Sequence, residues 1–308
     1  MQTIAFEKWQ ALGNDYLILE SDALAFELTP ARVRALCAGH FGVFADGVLL
    51  LSPPADPAHV ADLRIFNPDG SEAELSGNGA REAILYLRRR GWTDRDSFAI
   101  HTAAGVIRPQ ITGVDTCAVD MGRASLRSKD FPDGPEDGRG SVLVENHIFA
   151  FRHVSIGNPQ CAIHVASEDE LAALHLPAIG PAIEHDARFP NRTNVSWYTE
   201  LDGPAEQSAG VPHTRIRARI FERGVGETLS SGTGATGAAV AHVLARREAD
   251  GEAPTAPAAD GARVTVQLDG GELEVEVGED LHVKLTGWAR PVFAGQLSEE
   301  FEKELYET

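Results

Sequence analysis

Cysteine is scarce in this sequence: 308 residues contain only Cys37, Cys117 and Cys161. An odd number of thiols without close spacing argues against a disulfide framework and against a zinc site. Long apolar runs are missing as well, and none approaches the roughly 20 residues that a membrane-spanning helix needs. The N-terminus has no basic stretch followed by an apolar core, so no signal peptide is predicted. These absences predict a soluble cytoplasmic protein that does not contact a membrane.

Positive charge is also in short supply, with 27 Lys and Arg against 46 Asp and Glu and a net charge of −19. A field of that sign repels nucleic acid, so no nucleic-acid partner is expected. The one basic cluster, Arg88-Arg89-Arg90, is interpreted as a solvated helix end. The hydrophobic content of 43% is sufficient for one large domain or two medium ones.

The chain repeats itself at a constant offset of 155 residues. The segment RIFNPDGSEAELSGNGA begins at Arg64, and RIFERGVGETLSSGTGA begins at Arg219. Eight of these seventeen aligned positions are identical without a gap. A weaker echo pairs Gly13-Asn14 with Gly157-Asn158, and each pair precedes an apolar strand-like segment. A period this long indicates two copies of one lobe, not a solenoid.

The repeat organises the predicted secondary structure. Alternating polar and apolar residues predict strands over 60–66 and 214–221, each leading to a glycine-rich turn. Small apolar residues then predict helices over 80–87 and 235–244, which are apolar on every side and so belong in the middle of a lobe. Further strands are predicted over 106–110, 141–144, 263–267, 272–277 and 282–285, and loops over 131–140, 202–213 and 249–261.

Together these elements predict an α+β fold of two pseudo-symmetric lobes. Each lobe is expected to be a central α-helix wrapped by mostly antiparallel β-strands, because the strands are separated by short turns and not by alternating helices. The boundaries are predicted to give an N-terminal lobe of residues 1–127 plus 283–308 and a C-terminal lobe of residues 128–282.

Two glycine-rich turns carry the candidate chemistry, Ser76-Gly77-Asn78-Gly79 and Ser231-Gly232-Thr233-Gly234. The first N–H groups of a helix have no partner within the helix, so such a helix start binds carboxylate or phosphate. The simpler alternative is that Ser76 and Ser231 are helix N-caps, a role that serine performs well. The duplication favours a functional pair, because two equivalent anion-binding helix starts could form a symmetric cleft.

These residues carry a family resemblance. The segment from Phe66 to Arg81 resembles the first signature of diaminopimelate epimerase, and the segment from Glu222 to Ala235 resembles the second. Three further segments, Gly13-Asn14-Asp15, Gly157-Asn158-Pro159 and Thr193-Asn194-Val195, match other binding segments of that family. The resemblance covers nearly the whole chain, with its motifs in order.

The resemblance implies an amino acid epimerase that works without pyridoxal phosphate, metal or any other cofactor. In that family one thiolate removes the α-proton and a second thiol delivers a proton to the opposite face. The matching positions here are Ser76 and Ser231, so the two catalytic residues are predicted to be serines. The α-carboxylate would be held by Gly77, Asn78, Gly232 and Thr233, and the rest of diaminopimelate by Asn14, Asn67, Asn158, Asn194, Glu222 and Arg223, with Arg223 on the distal carboxylate. For Asn14 and Asn158, turn formation is the alternative, and for Arg223 a surface ion pair with Glu222.

The departures from the family pattern concern proton transfer. A serine hydroxyl is a far weaker acid than a thiol and needs a neighbouring base. Gln160 also stands where the family has a histidine. A replacement base would come from Asp69, Glu72, Glu82, Glu222 or Glu227. Cys161 is predicted to lie in a buried strand and to take no part in catalysis.

Three functions stay open on the sequence alone. The first is a diaminopimelate epimerase acting on LL- and meso-diaminopimelate in lysine biosynthesis, with serine in place of both cysteines. The second is a one-base isomerase or dehydratase for another amino or carboxylic acid, and the third is a non-catalytic amino-acid-binding relative. All three imply a small-molecule partner, an amino acid in the first and third and an amino or carboxylic acid in the second, and a homodimer is an open alternative for the assembly.

Overall fold

The computed structural model describes residues 3–74, 76–201, 206–208, 211–251 and 261–308. The chain divides into two compact units, Met1–Val119 with Gly287–Thr308, and Asp120–Thr286. The two points of division, 119/120 and 286/287, each lie within a strand. They differ from the predicted lobe boundaries at 127/128 and 282/283, which stay predictions. Within the described ranges, no helix combines the length and the apolar character that crossing a bilayer requires.

Among the described residues, β-strands are the commonest secondary-structure element. In chain order the strands are β1 (Ala5–Ala11), β2 (Asn14–Glu20), β3 (Val48–Ser52), β4 (Asp62–Phe66), β5 (Glu72–Ala73), β6 (Ile100–Thr102), β7 (Gly105–Ile107), β8 (Gln110–Ile111), β9 (Thr116–Arg123), β10 (Arg139–Val144), β11 (His147–Ser155), β12 (Pro159–His164), β13 (Asn194–Glu200), β14 (Glu206–Ser208), β15 (Val211–Glu222), β16 (Gly226–Thr228), β17 (Ala262–Leu268), β18 (Gly271–Val277), β19 (His282–Trp288) and β20 (Arg290–Gln296). The α-helices are α1 (Pro30–Cys37), α2 (Gly77–Arg89), α3 (Glu168–Ala173), α4 (Leu176–Glu184), α5 (Gly232–Ala249) and α6 (Glu299–Glu307).

The first unit is a sheet packed around α2. The strand order is β20-β1-β2-β3-β4-β6-β7, and β5 pairs with β4. Every residue of α2 from Asn78 to Leu87 is buried, as expected for a helix that strands enclose. The C-terminal segment completes this unit, since β20 pairs antiparallel with β1 and the Ile4 N–H donates to Glu302 Oε1 at 2.5 Å.

The second unit encloses α5 in the same way. Its strands follow the order β10-β11-β12-β13-β15-β17-β18-β19, with β14 and β16 paired to β15. Helix α5 packs against β11, β12, β13, β15, β17 and β18. A separate hydrophobic cluster around Phe151, Phe189 and Trp197 fills the space between these strands and α4. The predicted α+β class, with a central helix in each lobe, is confirmed.

The duplication is visible in the strand register. Phe66 pairs with Glu72 in the first unit, and Phe221 pairs with Glu227 at the same offset in the second. The ion pair of Arg64 with Glu72 likewise has its copy in Arg219 with Glu227. Each unit also has a parallel strand pair at the equivalent place, β4 with β6 in the first and β15 with β17 in the second. The repeated sequence therefore encodes a repeated strand–turn–helix unit.

Two predicted loops need correction or lie outside the structure. Within the predicted loop 202–213, residues 206–208 form β14, which pairs antiparallel with the start of the long strand β15 at Val211. The remaining positions of that loop up to 210, apart from β14, lie outside the described residues, as do 252–260 of the predicted loop 249–261. The predicted loop 131–140 ends at β10, which begins at Arg139.

Candidate active site

Helix α2 begins at a serine cap in the first unit. The Ser76 Oγ accepts a hydrogen bond from the Gly79 N–H at 3.1 Å, so the N-cap interpretation of this serine is confirmed. The Tyr16 hydroxyl donates to the same oxygen at 3.2 Å. Gly77 and Asn78 are the first residues of the helix, and their N–H groups belong to the first turn, where a helix has no internal acceptors.

A chain of side-chain hydrogen bonds lies beside this helix start. Asn78 Nδ2 donates to Asn14 Oδ1 at 3.3 Å, and Asn14 Nδ2 donates to Asp46 Oδ2 at 2.9 Å. On its other side, Asn78 Oδ1 accepts from Arg81 Nη2 at 2.6 Å, and Arg81 is fully buried. The structure thus brings together two predicted binding residues, Asn14 and Asn78, with two residues that the sequence analysis did not select.

Asn67 lies in the turn between β4 and β5. Its side chain donates to Ser71 Oγ at 3.0 Å, and its N–H donates to the Ser71 carbonyl at 2.8 Å. Gly70 in the same turn has a φ of 87°, and a Cβ there would lie 2.4 Å from the Pro30 carbonyl oxygen. The turn is therefore fixed by glycine, and Asn67 contributes to its geometry as well as standing in a predicted binding position.

Helix α5 begins in the same manner in the second unit, but its serine has a different neighbour. Ser231 Oγ accepts from the Gly234 N–H at 3.2 Å, and its hydroxyl donates to Glu222 Oε2 at 2.9 Å. The Thr228 hydroxyl donates to the other carboxylate oxygen, also at 2.9 Å. Burial raises the pKa of Glu222, and the two hydrogen bonds from the hydroxyls partly oppose that rise. This helix start therefore carries a hydroxyl in direct contact with a carboxylate.

Asn158 and Thr233 contact each other at this helix start. Asn158 Nδ2 donates to Thr233 Oγ1 at 3.3 Å, and Asn158 Oδ1 accepts from Gln160 Nε2 at 2.8 Å. Gln160 is fully buried and packs against α5, where a Cβ on Gly237 would lie 2.7 Å from the Gln160 Cβ. Gln160 thus orients the Asn158 amide through this hydrogen bond.

Asn194, at the start of β13, and Arg223, directly after β15, form a second contact. Asn194 Oδ1 accepts from the Arg223 N–H at 2.9 Å, while Asn194 Nδ2 donates to the Pro159 carbonyl at 3.1 Å. The Arg223 guanidinium donates to the Asn191 carbonyl at 3.0 Å. Arg223 and Glu222 form no ion pair in the described part of the chain, so that alternative is wrong. The guanidinium donates to Asn191, and the carboxylate accepts from two hydroxyls.

The five candidate bases differ in the residues that their carboxylates contact. Asp69 bonds to Ser71, Glu72 pairs with Arg64, and Glu227 pairs with Arg219. Glu82 is fully buried in α2, and burial raises its pKa well above the ordinary range. Glu222 is the candidate whose carboxylate contacts one of the two serines. Its residue type and position in the sequence gave no sign of this contact, because the contact depends on the hairpin of β15 and β16.

All three cysteines are buried and have free thiols. Cys161 lies in β12 and is fully buried, and burial raises its pKa, so the prediction of a buried strand position is confirmed. Burial likewise raises the pKa of Cys37 and Cys117 to about 12, which leaves both as neutral thiols. Among the residues that the structure describes, no group of three or more His, Cys, Asp or Glu side chains could hold a metal ion.

Comparison with known proteins gives one consistent result. A family model described as diaminopimelate epimerase matches residues 6–127 and 152–291. The chain is 36% identical over 300 residues to diaminopimelate epimerase 2 of a Nostoc species, covering 96% of each. It is 38% identical over 300 residues to diaminopimelate epimerase of a Synechococcus species, covering 95% of this chain and 97% of that protein. A solved PhzF-family phenazine biosynthesis protein from Bacillus anthracis shares the fold, with a TM-score of 0.65 and 18% identity over 97% of this chain and 100% of that one.

Proposed function

This chain belongs to the diaminopimelate epimerase family and is an isomerase, and from that premise we propose that it interconverts LL- and meso-diaminopimelate in lysine biosynthesis. The observation that carries the proposal is the hydrogen bond from the Ser231 hydroxyl to Glu222 at 2.9 Å. A serine hydroxyl takes part in proton transfer only when a base stands beside it, and this contact supplies one. The substrate, the pathway and a cytoplasmic location are all parts of the proposal.

The proposed reaction moves one proton at the α-carbon. The C–H bond breaks as its proton passes to the Ser231 oxygen, while the hydroxyl proton passes to Glu222. The electron pair stays on the α-carbon and is delocalised into the substrate carboxylate, whose growing charge the N–H groups of a helix start stabilise. Inversion then needs a proton on the other face. The proposed donor is the Ser76 hydroxyl, which would take up the Tyr16 phenol proton as it releases its own.

The first test replaces the proposed base. Glu222→Gln keeps the shape of the side chain and removes its negative charge, so exchange of the α-proton should fall at least about 10²-fold. The measurement is deuterium incorporation from deuterated water into LL- and meso-diaminopimelate. An exchange rate equal to that of the unchanged chain would remove Glu222 from the mechanism.

A matched variant separates the charge of Glu222 from its packing. Thr228→Val removes the second hydroxyl that lowers the pKa of Glu222 and leaves the Ser231 contact in place. The pKa of the carboxyl should rise, and a base must be unprotonated to act. The acid limb of the kcat/KM profile is therefore expected at higher pH in this variant, whereas an unmoved profile would contradict the assignment of Glu222 as the base.

Arg223 is proposed to bind the distal carboxylate. Diaminopimelate has two amino acid ends, so Arg223→Ala should weaken its binding about 10-fold or more, as expected when a hydrogen bond to a charged group is lost. Binding of alanine, which has one end, should change little. Calorimetric titration of both ligands checks this, with Arg192→Ala as a control because Arg192 is a neighbouring cation paired with Glu184. Equal losses for both ligands would refute the distal assignment.

A second candidate, a one-base isomerase or dehydratase, is favoured by one observation. Ser231 donates to a carboxylate, whereas Ser76 accepts from a phenol and from a backbone N–H. A protein with a single strong base exchanges the α-proton of one isomer without inverting it. Deuterium appearing in LL-diaminopimelate without formation of the meso isomer would support this candidate against the first.

A further inference from the structure

A buried positive charge and an exposed negative charge terminate one hydrogen-bond chain in the first unit. Arg81 donates to Asn78 Oδ1 at 2.6 Å, Asn78 donates to Asn14 Oδ1 at 3.3 Å, and Asn14 donates to Asp46 Oδ2 at 2.9 Å. Arg81 also donates to the Gly77 carbonyl at 3.0 Å. An amide placed between a cation and an anion has one favourable orientation, with its oxygen toward the cation. The two charges therefore determine how both asparagine amides are turned.

No ion pair joins Arg81 to Glu82 in the described part of the chain, and the Arg81 guanidinium donates to the Gly77 carbonyl and to Asn78 Oδ1 instead. Glu82 is as deeply buried as Arg81, and burial raises the pKa of its carboxyl well above the ordinary range. Burial also lowers the pKa of Arg81, but from so high a value that the guanidinium stays protonated. The start of α2 thus carries a cation beneath its first turn, in addition to the N–H groups that every helix start presents.

The second unit has no such charge at the matching position. The repeat offset places Thr236 where Arg81 lies and Gly237 where Glu82 lies. Thr236 Oγ1 donates to the Gly232 carbonyl at 2.8 Å, as Arg81 does to Gly77. The two copies therefore share the hydrogen bond to this carbonyl. Of the two matching residues, only Arg81 in the first unit is a cation.

We propose that Arg81 is a positioning residue, which turns the oxygens of Asn78 and Asn14 toward donors of the protein so that the start of α2 presents no amide oxygen to a ligand carboxylate. An oxygen turned toward a bound carboxylate would repel it, and the charge chain prevents that orientation. The inference rests on the proposed function in one respect, the choice of a diaminopimelate-type amino acid as the ligand.

The test begins without any ligand. In the full chain, Arg81→Met should change the side-chain amide NMR signals of Asn14 and Asn78 and lower their order parameters, because neither amide is then held in one orientation. Asp46→Asn, at the exposed end, should loosen the Asn14 amide in the same direction. Thr236→Val is the matched control in the second unit and should leave both sets of signals in place. Should Arg81→Met fail to fold, the Asp46→Asn result decides alone, and unchanged Asn14 signals there overturn the proposal.

Binding provides the second readout. The Kd of meso-diaminopimelate should rise about 10- to 100-fold in Arg81→Met, the range expected for losing a charge-assisted contact. Arg81→Lys should recover part of that loss, because it restores the charge and not the two-pronged geometry. A purely structural role for Arg81 predicts a lower melting temperature without this recovery. If the unchanged chain does not bind diaminopimelate, the proposed function fails, while the ligand-free amide signals still decide whether the charge chain positions the asparagines.

Discussion

The Ser76→Cys/Ser231→Cys variant is expected to epimerise diaminopimelate about 10²–10⁴-fold faster than the unchanged chain, the range that one well-matched acid–base group contributes. A thiol has a pKa near ~8.5, and a helix N-terminus lowers it further, so a thiolate forms at neutral pH where a serine alkoxide does not. Both serines cap helices in the structure, with the Gly79 and Gly234 N–H groups as their donors. Each new sulfur would therefore lie at the positive end of a helix.

A third serine provides the control for this experiment. Ser298 caps α6 by accepting from the Phe301 N–H at 3.2 Å, which is the same local geometry away from the candidate site. Ser298→Cys should leave epimerase activity unchanged. Adding Gln160→His to the double cysteine variant should raise activity again if imidazole can replace the amide beside Asn158. A double variant that folds and binds diaminopimelate without any gain would favour the one-base or the binding-protein alternative.

The second large effect concerns stability in acid. His153 and His242 in the second unit are buried, with hydrogen bonds to Ser128 and Thr214 respectively. Burial lowers the pKa of each imidazole from the ordinary 6.5 to about 4. The unfolded chain therefore binds these protons more readily, so the stabilisation is present above pH 6.5 and is lost as the pH falls toward 4. By pH 4.5 each histidine should cost roughly 2–3 kcal/mol of unfolding free energy.

Urea unfolding at pH 7.5 and pH 4.5 measures this loss. The two histidines together account for roughly 5 kcal/mol, which is comparable to the whole stability of a marginal domain. His153→Gln and His242→Gln should each reduce the difference between the two pH values, even where the substitution lowers stability at pH 7.5. His40→Gln, at an exposed position in the first unit, is the control. A difference that persists in the double glutamine variant would assign the acid sensitivity to other groups.

The repeat made much of the fold predictable. Matching residues at a fixed offset predicted the two strand–turn–helix units, and small apolar residues marked α2 and α5 as the enclosed helices. The parallel pairs, such as β2 with β3 and β12 with β13, were not predictable, because parallel pairing is set by how distant segments meet. The strand over 206–208 was also missed, since its sequence lacks the alternation that indicates a buried face.

The candidate site was predictable by residue type and less so by contact. Capping by Ser76 and Ser231 follows from local sequence, because a cap involves residues three positions apart. The choice of Glu222 from five acids required the β15–β16 hairpin, which brings Ser231 and Thr228 onto one carboxylate. Arg81 was missed because a charged residue on a helix is usually solvated, and its full burial is a tertiary property. Such a buried charge can be recognised only when its partners are known.

The pairing of β20 with β1 also affects the order in which the chain can fold during synthesis. The second unit is one continuous stretch, Asp120–Thr286, so all of its residues are translated before Gly287–Thr308. The first unit includes Gly287–Thr308, and β1 has its outer neighbour only when that segment is translated. Until then, β1 presents an unpaired edge of the kind that promotes aggregation. The half of the protein that is synthesised first is thus the half that is completed last.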